Sequence, residues 1–255
     1  MEASHIKIGI LGAGFIGATL TRRLSEAGHQ VKVANSRGPE TIDPGMLVAG
    51  AVAVTADDVV VDVDVLITSI PFNRMPGIAP LVARTSPDTT IIDTSNYYPH
   101  RDGHIPAIDD GQVESVWVSE QLGRPIAKAW NAIPAESFAG KASSPGSPGR
   151  IAIPIAADRD GDRSVAMRLV EETGFDAVDA GEIADSWRQH PGAPTYCTDL
   201  TRDELRAALA SAEKDRIPRR RDLSMAVVGE RVSGDGGKGD GFGDWLVQLN
   251  RAIYL

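Results

Sequence analysis

The stretch IKIGILGAGFIG, residues 6–17, decides how this chain is read. An apolar run of strand-forming residues passes directly into Gly12, Gly14 and Gly17, spaced G-x-G-x-x-G. The last of these glycines lies in FIGATLTRRLSEAG (15–28), an amphipathic helical pattern closed by Gly28. On its own the spacing is common; between a strand and a helix it is specific. Gly12 allows the tight turn, Gly14 lets a backbone approach a pyrophosphate, and Gly17 lets helix and strand pack closely. The free N–H groups and dipole of the helix start favour the anion.

Outward from this unit the pattern repeats. QVKVANS (30–36) reads as a second strand, and AVAVT, VDVLITSIP and TTIIDTSN as the third, fourth and fifth. PIAKAWNAI (125–133) and RIAIPIAAD (150–158) look like two more. GPETIDPGMLVAG is expected to begin a helix at Pro39, since proline is tolerated in a first turn. NRMPGIAPLVART and DRSVAMRLVEETG carry helical spacing, and YYPHRDGHIPAIDDG (97–111) reads as a long loop after strand five. Alternating strands and helices predict an α/β fold, a doubly wound, mostly parallel Rossmann sheet with extra strands. The expected division is a Rossmann domain over 1–182 and a small helical C-terminal region over 183–255. In that region TRDELRAALASAEKD (201–215) is helical, 233–243 is glycine-rich, and Trp245, Leu246, Leu249 and Ile253 recur at helical spacing. The final helix either tucks against its own domain or reaches across a subunit interface on its glycine-rich tether.

The end of strand two carries the cofactor choice. A chain built for NAD places an acid there for the ribose hydroxyls; here the strand runs into Asn35, Ser36 and Arg37. A carboxylate would repel a 2′-phosphate, whereas Ser36 can donate a hydrogen bond and Arg37 can pair with the phosphate in a fork. The reading is NADP(H). The competing view is that Ser36 caps the next helix and Arg37 is a solvated surface residue. Ser69, Ile70 and Pro71 end strand four and Asn96 ends strand five, where this fold places the ribose and nicotinamide; turn chemistry would also account for them. Asn131, at the end of PIAKAWNAI, offers a donor and an acceptor for a carboxamide, or serves as a cap.

Composition narrows the class. The chain has 255 residues, 42% hydrophobic and 24% charged, as in ordinary globular proteins. A net charge of −9 argues against nucleic-acid partners. No apolar run is long enough for a membrane helix. The N-terminus lacks the pattern of a signal peptide. Cys197 is the only cysteine, which excludes an intrachain disulfide and suits a cytoplasmic setting. His100 and His104 bracket Asp102 on a loop, and no metal site is expected. His190 could line a pocket, and Cys197 reads as a small apolar residue. The hydrolase patterns H-E-x-x-H, S-x-x-K and G-x-S-x-G are absent from the sequence.

The motifs KIGILGAGFIG, NSRGP, SIPF, AWNAIPAESF and DAGEI together make the chain similar to the coenzyme F420-dependent NADP oxidoreductase family, over about residues 6–185. The resemblance implies that Ala13, Phe15 and Ile16 join the phosphate loop and that Ser36 and Arg37 hold the 2′-phosphate. It further implies that Asn131, Ala132, Ile133 and Ala135 line the nicotinamide and deazaflavin pocket, Asn131 standing where archaeal members carry His. The expected activity is hydride transfer between NADP(H) and a small-molecule redox acceptor, F420 or a flavin, in a homodimer. Such chemistry needs no protein nucleophile. The alternatives are reduction of a small imine or carbonyl compound, or an NADP(H)-binding redox sensor without turnover. Asn131 is the one catalytic candidate.

Overall fold

The computed structural model describes residues 5–233 and 239–255; residues 234–238 of the glycine-rich 233–243 segment lie outside them. From the N-terminus, β1 (Lys7–Leu11), α1 (Phe15–Glu26), β2 (Gln30–Ala34) and β3 (Val52–Ala53) precede β4 (Val65–Thr68), α2 (Met75–Val82) and β5 (Thr90–Asp93). Three helices follow: α3 (Pro99–Asp102), α4 (Pro106–Asp109) and α5 (Glu114–Leu122). Next come β6 (Ala127–Lys128), α6 (Ala135–Gly140), β7 (Ala152–Ala157), α7 (Asp160–Glu172) and β8 (Asp176–Asp179). The chain closes with α8 (Arg202–Ser211), α9 (Ile217–Val232) and α10 (Phe242–Tyr254).

The strands form one sheet in the order β3-β2-β1-β4-β5-β6-β7-β8. Every pair is parallel except β6 with β7. This is a doubly wound Rossmann sheet extended at one edge by β7 and β8. Strands buried on both faces read as unbroken apolar runs, and β4 (VLIT) and β5 (TIID) are buried throughout. One core holds Ile8, Ile10, Leu20, Leu24, Leu169 and Phe175, from β1, α1 and α7 and the turn that follows α7. The other holds Leu66, Phe72, Val82, Trp117 and Val118, from β4, α2, α5 and the turn that leads into α2. Helices thus cover both faces. The strand order reverses at β1 and β4, which opens a crevice at the carboxyl ends of those strands. Among the described residues no helix is long and apolar enough to cross a membrane.

Two expectations are corrected, and the C-terminal helix forms as expected. The helix expected from Pro39 is two 3-10 turns, Pro39–Thr41 and Pro44–Met46. Pro44 forces Asp43 out of the helical region, to φ −61°, ψ 122°, and the Asp43 carboxylate takes the Gly45 N–H. The 97–111 loop carries α3 and α4, each opened by a proline. On α10 the fully buried positions are Phe242, Val247, Asn250 and Tyr254, while Trp245, Leu246, Leu249 and Ile253 are half-buried. Polar anchors rotate the helix away from its apolar stripe. Asn250 donates to the Cys197 carbonyl and accepts from the Ser224 hydroxyl, and Arg251 donates to the carbonyls of Thr198 and Asp199. The last helix therefore packs on its own chain.

Candidate functional site

The glycine loop sits over the crevice. Gly12 adopts φ +113°, and a Cβ there would lie 2.0 Å from the Ser69 carbonyl oxygen. A Cβ on Gly17 would lie 1.9 Å from the Gly12 carbonyl oxygen. The fold itself demands both glycines. Gly14 differs: its φ is −78° and a Cβ would meet nothing within 4 Å. The space in front of Gly14 is open. Phe15 is 81% exposed beside it, and Ile16 is half-buried.

Gly12, Ala13, Gly14, Asn35, Ser36, Arg37, Ser69, Ile70 and Pro71, all named from the sequence, converge on one groove of about 830 Å³. Arg74, Gly77 and the apolar side chains of Leu11, Ala34, Ala56, Ile78 and Leu81 complete it, and among the described residues no carboxylate lines it. The Asn35 carboxamide shapes the turn, accepting from the Arg37 N–H (2.8 Å) and donating to Thr41 Oγ1 (2.8 Å). Ser36 caps no helix: the following turn has Gly38 as its N-cap, with no side-chain hydrogen bond. Both Ser36 and Arg37 are exposed to the groove.

A second group of named residues lies outside this groove, at the ends of β5 and β6. Asn96 Nδ2 donates to the Asn131 carbonyl (2.9 Å), and Asn131 Nδ2 donates to Asn96 Oδ1 (3.0 Å) and to the Gln189 carbonyl (2.8 Å). Asn131 is buried, its amide donors are taken, and only Oδ1 lacks a partner. In this structure its donors hold Asn96 and the Gln189 carbonyl, and Oδ1 alone is left as an acceptor. Ala132, Ile133 and Pro134 are buried behind it, and Ala135 opens α6. Trp130 holds this turn in the left-handed region at φ 54°, an uncommon place for a large side chain.

Beneath the pair lies a buried ionic anchor that sequence reading did not find. Lys128 donates to Asp93 Oδ2 (2.6 Å) and to the Ser95 carbonyl, both side chains of the ion pair being fully buried. Asp93 also accepts from the Ser95 N–H and hydroxyl, each at 3.0 Å. These contacts lock the 93–96 turn. From outside, Arg101 Nη2 donates to the Asn96 carbonyl at 2.5 Å. The lysine inside an otherwise apolar strand was the available signal.

Next to this wall the hydroxyls of Tyr98 and Tyr196 meet at 2.7 Å, and burial pushes both phenols up. Cys197 is buried, its thiol also pushed up by burial, and its N–H donates to the Ala132 carbonyl. Tyr97 is core, packed on Phe72. Asp102 turns to Arg101 and the Tyr98 N–H, and His104 to Asp109. His190 does line a cavity, a second one of about 530 Å³ with Glu114, Trp187, Lys214, Asp215 and Arg221. There His190 Nδ1 lies 3.5 Å from Glu114 Oε1. Burial raises the Glu114 carboxyl to about 7 and lowers the His190 imidazole well below its ordinary value.

Residues 7–97 match the family described as NADP oxidoreductase, coenzyme F420-dependent. The likeness is confined to that segment of the chain. The protein YjhV of Escherichia coli (strain K12) is 45% identical over 69 residues, 27% of this chain and 50% of YjhV, so the chain spans about half the length of the curated relative it matches. Among solved structures, a hypothetical protein from Sinorhizobium meliloti is 26% identical at a TM-score of 0.63, over 75% of this chain and 93% of that one. A candidate F420-dependent NADP-reductase from Arthrobacter sp. FB24 is 16% identical at a TM-score of 0.56, over 87% of this chain and 94% of that one. The 3-hydroxyisobutyrate dehydrogenase of Mycobacterium tuberculosis shares the fold at 17% identity and a TM-score of 0.56, over 98% of this chain and 75% of that one. The last two likenesses concern the fold.

Proposed function

We propose that this protein is an NADPH-dependent oxidoreductase that passes a hydride between NADP(H) and a deazaflavin such as F420, or a flavin-like acceptor. The observation that carries the reading is the groove at the end of β1. Among the described residues its wall has no acid, its turn offers Ser36 and Arg37, and open space lies in front of Gly14 on its loop. Gly12 to Gly14 and the first turn of α1 would hold the pyrophosphate, and Ser36 with Arg37 the 2′-phosphate. Ala56, Ile78 and Leu81 give the apolar surface that a flat ring prefers. When bound, the nicotinamide supplies the hydride. The protein's part is orientation and exclusion of water: Asp93 and Lys128 set the turn, Asn131 holds Asn96, and the buried Ala132–Pro134 run keeps the wall dry. The same reading takes the chain as a cytoplasmic homodimer. It is supported by the single buried cysteine and by two exposed leucines, Leu223 on α9 and Leu255 at the end of the chain, 53% and 63% exposed.

A second reading, reduction of an imine or carbonyl compound, is favoured by the Tyr98–Tyr196 pair. Burial keeps both phenols protonated, so they can offer O–H hydrogen bonds that polarise such a group. One experiment separates the two: NADPH oxidation followed in the presence of F420, FMN or a cyclic imine. Turnover with F420 or FMN supports the first reading and turnover with the imine alone the second. Tight NADPH binding with no acceptor reduced would replace both with a redox sensor.

A further inference from the structure

We infer that Arg74 is a second phosphate-binding residue of the groove, and that it engages the cofactor's pyrophosphate rather than the 2′-phosphate read by Arg37. The inference rests on the NADP(H) reading above and adds a residue that neither the motif nor the strand-two turn announces.

Three observations carry it. First, Arg74 lines the same groove as Gly12, Gly14 and Arg37. In a chain with 35 acidic against 26 basic side chains, that wall holds two arginines and no acid. Second, no hydrogen bond or ion pair among the described residues engages either guanidinium; the bond at Arg37 uses its backbone N–H. Elsewhere arginines are commonly matched, as in Arg84 with Asp57, Arg159 with Asp162 and Arg202 with Glu171. Two unmatched guanidiniums in one concave, acid-free wall call for an anion, and the planar fork of Arg suits a phosphate.

Third, the position is pinned. Arg74 ends the 3-10 turn Phe72–Arg74 and is the N-cap of α2. Its N–H donates to the Pro71 carbonyl (2.9 Å). Phe72, fully buried, stacks on Trp117 at 4.8 Å between centroids, and Asn73 donates to the Asp102 carbonyl. The backbone is thus preorganised, and little more than side-chain freedom is lost on binding.

Topology assigns the phosphate. β1 lies between β2 and β4, so Arg37 approaches from the β2 side and Arg74 from the β4 side of the glycine loop. Strands two apart in a sheet are separated by roughly 10 Å. The 2′-phosphate belongs at the β2 end. A phosphate seated on the loop and the start of α1 lies between the two, within reach from β4.

The test is calorimetric titration of NADPH and NADH into wild type, Arg74→Ala and Arg74→Lys, with Arg37→Ala alongside and circular dichroism as the control for folding. Arg74→Ala should weaken NADPH and NADH by the same factor, about tenfold or more, the scale of a charge-assisted hydrogen bond. Arg74→Lys should recover part of the loss, and Arg37→Ala should weaken NADPH alone. A loss confined to NADPH in Arg74→Ala would place its guanidinium on the 2′-phosphate, and no loss would place it on solvent; either overturns the assignment. If wild type binds neither dinucleotide, the NADP(H) reading falls and this inference with it, whereas wild-type binding with an indifferent Arg74→Ala sinks the inference alone.

Discussion

Replacing Glu114 by Gln should remove a calculable part of the pH dependence of the protein's stability. The Glu114 side chain lies at the base of the second cavity, 5% exposed, with Oε2 accepting the Tyr97 N–H at 3.1 Å and Oε1 near His190. Burial pushes its carboxyl from 4.5 to about 7, against the pull of Lys128, the Tyr97 N–H and Arg221, with Asp93 adding to the rise. Because the folded value is the higher one, the folded chain keeps a proton that the unfolded chain releases. The neutral carboxyl's advantage is complete below pH 4.5 and is lost as pH rises through about 7. The difference amounts to roughly 3 kcal/mol, since each pKa unit is worth about 1.4 kcal/mol. His190 works in the opposite sense. Its folded value is depressed, so its contribution is present above pH 6.5 and fades as pH falls. Wild type alone would blur the two, and the difference between wild type and Glu114→Gln isolates the carboxyl. Gln keeps an oxygen to accept the Tyr97 N–H and carries no charge. Urea unfolding across and above this window should show the variant gaining stability relative to wild type as pH rises, by roughly 3 kcal/mol over the full span. A difference that stays constant with pH would refute the buried, proton-holding role of Glu114.

Arg37→Ala should cost NADPH about 1.5–3 kcal/mol of binding and leave NADH nearly unchanged; equal losses in calorimetry would remove Arg37 from the 2′-phosphate. Gly14→Val should abolish dinucleotide binding in a protein with an unaltered circular dichroism spectrum. Gly17→Ala should destabilise the fold itself, because its Cβ would sit 1.9 Å from the Gly12 carbonyl oxygen. Binding retained in Gly14→Val would mean that the loop carries no phosphate. Asn131→Leu should lower turnover with the acceptor more than NADPH affinity, since it frees Asn96 and leaves the buried Gln189 carbonyl without its donor, a cost of about 1–3 kcal/mol. Parallel losses in kcat and in NADPH Kd would assign it a purely structural part.

The part of the molecule that builds the groove was legible because its signals are local. A strand, three glycines and a helix follow one another within twenty-odd residues, and the Asn35–Arg37 turn adjoins the next strand. β8, with the sequence DAVD, was missed because four residues bounded by aspartates give no periodicity. Its pairing with β7 alone makes it a strand. In α9, Pro218 and three consecutive arginines obscured a helix that buries little beyond Ile217 and Ser224. The Lys128–Asp93 pair spans 35 positions and the Asn131–Gln189 contact 58. Such partners are selected by the folded sheet, and no spacing rule reaches that far. Arg74 went unremarked for a related reason: only the crossing from β4 into α2 brings it beside a loop encoded sixty residues earlier.

The two halves of the site are held by different means, and this bears on how the acceptor is chosen. The groove is built by residues 11–81, entirely within the segment that matches the family. The second cluster, outside the groove, begins at Asn96, where that segment ends, and is completed by 131–135, Gln189 and Tyr196. Asn96 is the joint. Asp93 and Lys128 fix its turn from within the sheet, Asn131 grips it from the neighbouring strand, and Arg101 holds its carbonyl from outside. A residue clamped from three directions does not adapt to its ligand, and ordering costs are met on folding rather than on binding. Exchange of side chains around that joint, at Tyr98 or Tyr196, can therefore alter which acceptor is met while the dinucleotide seat stays where it is. On the function proposed above, selectivity for the acceptor would reside in the C-terminal three-fifths of the chain and affinity for the dinucleotide in the N-terminal third.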